Sequence, residues 1–239
     1  MEETNDIVLT EESAETPSET PAQPKPRKKR KGLVILGTIV VVVALAAVGM
    51  IAWHNQPSFC GAICHNPMDG YLATYSQAPH SAGFDKWGND VADASAMLAV
   101  SHATEGVTCL DCHTATMSQQ IHEATAWISG NFVSYDNDMF PSAIDERSLT
   151  QLMTATGGTG EQFCLREGCH EYAREDLGAL TADYAYNPHD NHYSLQLDCS
   201  ECHKAHRASV LFCTNCHSGL KIPEGWLTMS EYGQLDHLY

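Results

Sequence analysis

Two units of the form Cys-x-x-Cys-His stand close together near the end of the chain, Cys199-Ser-Glu-Cys202-His203 and Cys213-Thr-Asn-Cys216-His217. A third, Cys109-Leu-Asp-Cys112-His113, lies earlier, and two stretched relatives follow the same logic: Cys60-Gly-Ala-Ile-Cys64-His65 and Cys164-Leu-Arg-Glu-Gly-Cys169-His170. Together the five units use all 10 cysteines. In such a unit two thiols one helical turn apart can add across the two vinyl groups of a haem, and the histidine that follows offers an imidazole to the iron. The spacing of Cys199, Cys202, Cys213 and Cys216 also suits a zinc ribbon. A tetrahedral site gives no reason for a histidine directly after every second cysteine, and neither does a disulfide framework. Haem attachment requires that histidine, so five covalently held c-type haems are expected.

The elements that carry these units come next. Residues 32–53, GLVILGTIVVVVALAAVGMIAW, carry no charge and have the length that a helix needs to cross a bilayer. Six basic residues lie between Lys25 and Lys31, and nothing comparable follows Trp53. Positive-inside bias therefore puts the N-terminus in the cytoplasm and the cysteines outside the cell membrane, as a single-pass protein. A cleaved signal peptide is the competing reading, but the apolar run is longer than a usual signal core, and cutting near Ala52 would leave little before Cys60. Residues 1–24, rich in Glu, Thr, Ser and Pro, lack material for a core and are expected to be a disordered tail.

Beyond residue 53 the chain has 7 Lys and Arg against 23 Asp and Glu. That balance makes nucleic acid and anionic lipid poor partners; it suits docking to a basic patch on a soluble redox protein, or serves solubility alone. Long aliphatic runs are scarce there, so the apolar interior is expected to be porphyrin, and the haem-free chain to be largely unfolded. The fold class expected is mostly α with much irregular structure, a single transmembrane helix and a multihaem domain organised around stacked haems. The expected domains are a tail with a basic anchor over 1–31, the membrane helix over 32–53, a dihaem module over 54–140 and a trihaem module over 141–239. The stretch 136–160, with Pro141 and the glycines at 157, 158 and 160, is the expected boundary. The spacing of Ile121, Ala124 and Ile128 predicts a short amphipathic helix, with His122 off its stripe.

Only six residues separate Trp53 from Cys60, so a first haem would lie against the outer membrane face, within reach of a quinol whose tail stays in lipid. Both His65 and Met68 are candidate ligands for its iron, and a methionine there would favour electron acceptance. Lys86, or an acid among Asp85, Asp90 and Asp93, could hydrogen-bond the quinol or take its proton.

Residues 60–68, Tyr71, Tyr75, the segment Ser76-Gln77-Ala78-Pro79-His80, and the run from His102 through Cys109, Cys112 and His113 resemble the NapC/NirT family of membrane-anchored multihaem quinol dehydrogenases. The resemblance implies that Met68 ligates the first haem, and that either His80 or His102 is the family's distal histidine, with 81–101 an insertion. The first site departs from the family by an extra residue between its cysteines, and Met68 stands one place late. Residues 187–217, NPHDNHYSLQLDCSECHKAHRASVLFCTNCH, resemble the tetrahaem module of flavocytochrome c fumarate reductases. That resemblance implies distal ligands at His189, His192 and His206 for the three haems of the second module. The two together cover 33–220 and imply a cytochrome that oxidises membrane quinol and passes electrons to an extracytoplasmic reductase, a flavoprotein or a molybdenum enzyme. A terminal reductase of a small nitrogen-oxide substrate, or a relay with no quinol site, are the alternatives. The tail GLKIPEGW and His237 carry no signal.

Overall fold

The computed structural model describes residues 28–63, 65–131, 148–153, 157–193 and 196–235, the side chains of 28–30 and 65–67 excepted. The expected tail, most of the expected boundary at 136–160, Cys64 and His237 lie outside the described residues. The chain divides into two units, one ending at Ala47 and one beginning at Val48.

Helix α1 spans Lys28–His54. Within it Lys31–His54, 24 residues, is long and apolar enough to cross a membrane. Leu33, Ile39, Val43, Leu45 and Ile51 are all exposed, at 53% or more of their surface, because apolar residues occupy every side of the helix and no polar stripe exists. The helix ends in a turn in which the Gln56 N–H donates to the Trp53 carbonyl at 2.9 Å. Pro57, with its fixed φ and no N–H to lose, then opens α2, Pro57–Ile63. Phe59 packs edge-on against Trp53 and His54, with ring centroids 5.1 and 4.8 Å away, and sets Cys60 directly after them.

Helix α3, His65–Tyr75, folds back on α2, so closely that a Cβ on Gly61 would meet Leu72 Cδ1 at 3.1 Å. The Tyr75 hydroxyl donates to the Val107 carbonyl at 2.8 Å, tying α3 to the segment before Cys109. Between them β1, Gly83–Phe84, pairs antiparallel with β2, Asp90–Val91. Asp85 closes that hairpin by accepting from the N–H groups of Trp87 and Asn89, each at 2.9 Å, and from Asn89 Nδ2 at 2.9 Å. Helix α4, Leu98–Thr104, carries His102 in its last turn. The helix expected around Ile121 is α6, Met117–Ser129, capped by Thr116 and closed by Gly130 at φ 69°. Met117, Ile121 and Ile128 on α6 are exposed, as is His122.

The interior holds protein as well as whatever the cysteine units carry. Val91, Ala94, Met97, Val100 and Ala208 form a buried cluster with Leu227 against it. It exists because the stretch 86–99 lies hydrogen-bonded along 204–209. Lys86 N–H donates to the His206 carbonyl, Leu98 N–H to that of Lys204 and Ala99 N–H to that of Ala205, each at 2.9 Å, and Ser209 N–H to that of Ala96 at 3.0 Å. Strand β3, Val210–Leu211, then pairs in parallel with β4, Leu227–Thr228. The segment 81–101, which reads from sequence as an insertion, thus supplies most of the polypeptide core. Small residues such as Ala94 and Ala96 hide it from a search for long aliphatic runs.

Candidate haem-binding site

Four of the five cysteine units share one local closure. The N–H of the histidine donates to the carbonyl of the first cysteine: His113 to Cys109 at 2.8 Å, His203 to Cys199 and His217 to Cys213 at 2.9 Å, and His170 to Cys164 at 3.3 Å. In the unstretched units this is one helical turn: α5, Cys109–Cys112, α7, Cys199–Cys202, and a 3₁₀ turn over Phe212–Asn215. Thr108 starts α5, its N–H and hydroxyl both donating to Asp111 Oδ2 at 2.6 and 2.9 Å. The stretched unit at Cys164 keeps the same closure because Gly168, at φ 79°, takes the left-handed conformation that lets the extra residues bulge. Arg166 in that bulge donates from Nη2 to the Asp111 carbonyl at 2.5 Å, joining this unit to the one before.

The units also neighbour one another in chain order. The Cys60 thiol hydrogen-bonds to Cys109, and this holds the Cys109 thiol down to about 7. A like bond from Cys164 holds Cys199 down to about 7. Cys112 is raised chiefly by burial, with the nearby Cys169 adding to the effect, and Cys202 is raised the same way by burial and then Cys213 among its neighbours. Consecutive units, first to fifth, are therefore in mutual range. Among the described residues no three His, Cys, Asp or Glu side chains converge as a metal cage, as the zinc-ribbon reading would need.

The histidines complete the picture. Three pairs of rings have nearly the same spacing: His102 and His170 at 6.1 Å between centroids, His189 and His203 at 6.2 Å, and His192 and His217 at 6.1 Å. Their interplanar angles of 78°, 13° and 71° differ, so ring stacking is not what sets the distance. A metal bonded at roughly 2 Å to one nitrogen of each ring puts centroids roughly 6 Å apart at any such angle. His206, outside these three pairs, is held down to about 3, first by burial and then by the charges of His113 and Lys86. His203 is held down to about 4 by burial, then by His189, His170 and His102. Each pair includes the histidine of a cysteine unit, and these residues fit the haem c that the motifs call for.

Partners on the far ring nitrogen fix the tautomers. His102 Nδ1 is 2.8 Å from the Leu98 carbonyl, which can only accept, so Nδ1 carries the proton and Nε2 is the basic nitrogen. Thr74 already gives its hydroxyl proton to the Tyr71 carbonyl at 2.8 Å, so at 2.7 Å it accepts from His206 Nδ1–H. His189 Nδ1 lies 3.3 Å from the Thr181 hydroxyl, which stands 2.5 Å from Asn187 Oδ1. A second partner of this kind is what orients a metal-bound imidazole.

Other expected site residues are placed differently. His80 is 84% exposed at its side chain, with Nδ1 3.6 Å from Asp93 Oδ2. Met68 is half-buried on α3. Asp85 is buried with both carboxylate oxygens in the hairpin turn, Asp93 accepts from Ser95 N–H at 2.8 Å, and Asp90 is exposed. Lys86 is buried, its Nζ over the rings of Trp87 at 4.3 Å and Tyr71 at 5.4 Å. Sequence reasoning missed Thr74, Thr181 and Trp226. Trp226, in the tail that carried no signal, packs edge-on to His203 at 5.3 Å. Nothing in the order of residues marks them, since each acts on a histidine distant in sequence or on a backbone turn.

Cysteine units with a shared closure, paired imidazoles and a mostly helical scaffold define a multihaem c-type cytochrome, an electron-transfer protein with covalently held haem c. Residues 142–218 match the cytochrome c3 family. The chain belongs to the same family as the cytochrome c-type protein Cgr1 of Eggerthella lenta, to which it is 49% identical over 212 residues, 89% of this chain and 94% of that protein. It is also similar to an acrylate reductase cytochrome subunit of Shewanella woodyi, 39% identical over 61 residues, 24% of this chain and 50% of that protein. No solved structure matches.

Proposed function

We propose that this chain is a membrane-anchored pentahaem cytochrome of NapC/NirT type that takes electrons from quinol at its first cysteine unit and relays them to an extracytoplasmic reductase. The observation that carries the reading is the set of three histidine pairs at 6.1, 6.2 and 6.1 Å, each including the histidine of a cysteine unit, in a chain whose first cysteine unit follows directly on α1. In this reading α1 is an uncleaved anchor, and Cys60, Cys64 and His65 or Met68 hold the haem beside the membrane. Haem c when bound supplies a one-electron couple, and an iron held by two imidazoles has no vacant position for a substrate. The paired histidines thus favour relay over a terminal reductase. The similarity to an acrylate reductase cytochrome subunit supports a reductase as the electron acceptor, and the acidic outer surface suits a basic patch on it.

Of the residues considered for quinol, Lys86 retains the best claim. It is buried beside Tyr71 and His206, whereas Asp85 and Asp93 spend their carboxylates on backbone N–H groups. The test is reduction of the detergent-solubilised protein by a menaquinol analogue, followed optically with a quinol-site inhibitor as control. Fast, inhibitor-sensitive reduction of all the haems is expected. Full reduction by dithionite with none by quinol would leave a relay without a quinol site.

A further inference from the structure

We infer that the distal histidines are exchanged between the two halves of the domain: His102 serves the site of Cys164, Cys169 and His170, and His206 serves the site of Cys109, Cys112 and His113. This rests on the reading of the chain as a multihaem cytochrome. His189 and His192 stay within their own half, opposite His203 and His217.

The placement follows from one stretch of backbone. Leu98 donates its N–H to the Lys204 carbonyl at 2.9 Å, and its own carbonyl receives His102 Nδ1 at 2.8 Å. Two residues beyond Lys204, His206 gives its carbonyl to Lys86 N–H at 2.9 Å while Thr74 holds its Nδ1 at 2.7 Å. The same contact between 86–99 and 204–209 therefore fixes both donors, and their basic nitrogens serve opposite halves. His102 meets His170 at 6.1 Å, the spacing of the other pairs. His206 is seated across the halves against α3, with Tyr71 edge-on to its ring at 4.8 Å and Thr74 on its Nδ1. Helix α3 is tied to the segment before Cys109 by the Tyr75 hydroxyl on the Val107 carbonyl at 2.8 Å. His80, the other candidate in the first half, is turned out to Asp93. A consequence is that two haems each join the halves, so neither half completes its iron sites without the other.

The test counts low-spin bis-histidine irons in the oxidised, purified full chain by electron paramagnetic resonance, with intact mass giving the number of attached haems. His102→Met and His170→Met should each remove one bis-histidine signal, and the double variant should still remove only one, because both act on the same iron. His102→Met with His113→Met should remove two. The same logic holds for His206→Met, which should overlap with His113→Met and add to His203→Met. Loss of two signals in the double variant of His102 and His170, with one in that of His102 and His113, overturns the exchange. Loss of the haem itself on substituting His170 leaves the count unchanged and still decides. Should the variants fail to assemble, an electron cryomicroscopy structure of the unaltered protein decides: His102 on the iron at Cys164 and Cys169 supports the exchange, and His102 on the iron at Cys109 and Cys112 overturns it. Absence of thioether-bound haem in the unaltered protein is a separate failure, that of the multihaem reading.

Discussion

The Nδ1 of each of His102, His189 and His206 has a hydrogen-bond partner, so that Nε2 is left as the basic nitrogen. His80 Nδ1 also has one, the Ser95 hydroxyl at 3.3 Å, and what sets it apart is a side chain that is 84% exposed. For His206 the partner is a hydroxyl whose proton is already committed, which makes Thr74 an acceptor and the imidazole a stronger donor to a metal. Thr74→Val keeps the shape and removes that acceptor. It should leave a buried N–H unsatisfied, at about 1–3 kcal/mol. Weaker electron donation from His206 should raise the midpoint potential of one haem and leave the others in place. An optical redox titration checks this, and an unchanged set of potentials would remove Thr74 from the site. Asp85 and Asp93 teach the converse. Their residue types suggested proton transfer, and the hydrogen bonds they accept give them structural work in a hairpin and at a helix start.

Among the elements, the cysteine units are closed turns whose geometry tolerates different lengths. The unit at Cys164 has four residues between its cysteines, yet its histidine N–H reaches the first cysteine carbonyl as in the shorter ones. Gly168 makes that possible at φ 79°, with no atom within 4 Å of the place a Cβ would take. Gly168→Ala therefore meets strain without a clash, about 1–2 kcal/mol for the left-handed conformation. The expected outcome is a partial loss of one haem, seen by intact mass as a mixture differing by one haem mass, with the other units fully occupied. Full occupancy in the variant would show that the turn closes without glycine. The longer elements follow simpler rules. Helix α6 starts at a Thr116–Gln119 capping box, with Thr116 N–H donating to Gln119 Oε1 at 2.7 Å, and stops at Gly130.

Across the whole described domain the polypeptide core is small, centred on Val91, Ala94, Met97, Val100 and Ala208. Alanines contribute little to such a core, since burial scales with the apolar area removed from water. Conformational entropy over a domain of this length is far larger than what these residues return. The haem-free chain, made where thioether bonds cannot form, should therefore lack a cooperative thermal transition by circular dichroism, whereas the loaded protein should show one. A sharp transition in the haem-free protein would mean that the contact between 86–99 and 204–209 suffices by itself.

Much that is local in this protein can be read from the order of residues. The closure at His113, His203 and His217 spans four residues and the capping box of α6 spans three, so the spacing that specifies them is complete within a short window. The apolar helix α1 is equally local, because an uncharged run of sufficient length satisfies its own backbone. The resemblance to fumarate-reductase modules, being a comparison of such windows, keeps His206 with the cysteines nearest to it in sequence. Which imidazole faces which is a different kind of fact. Thr74 and His206 are 132 positions apart, and Ser209 and Ala96 113 apart, and only their packing brings His206 to α3 and His102 to His170. Spacing along a chain encodes turns and helix faces, where neighbours in sequence are neighbours in space. Pairing between distant segments depends on shape and hydrogen bonding summed over the whole core, and no short window contains it.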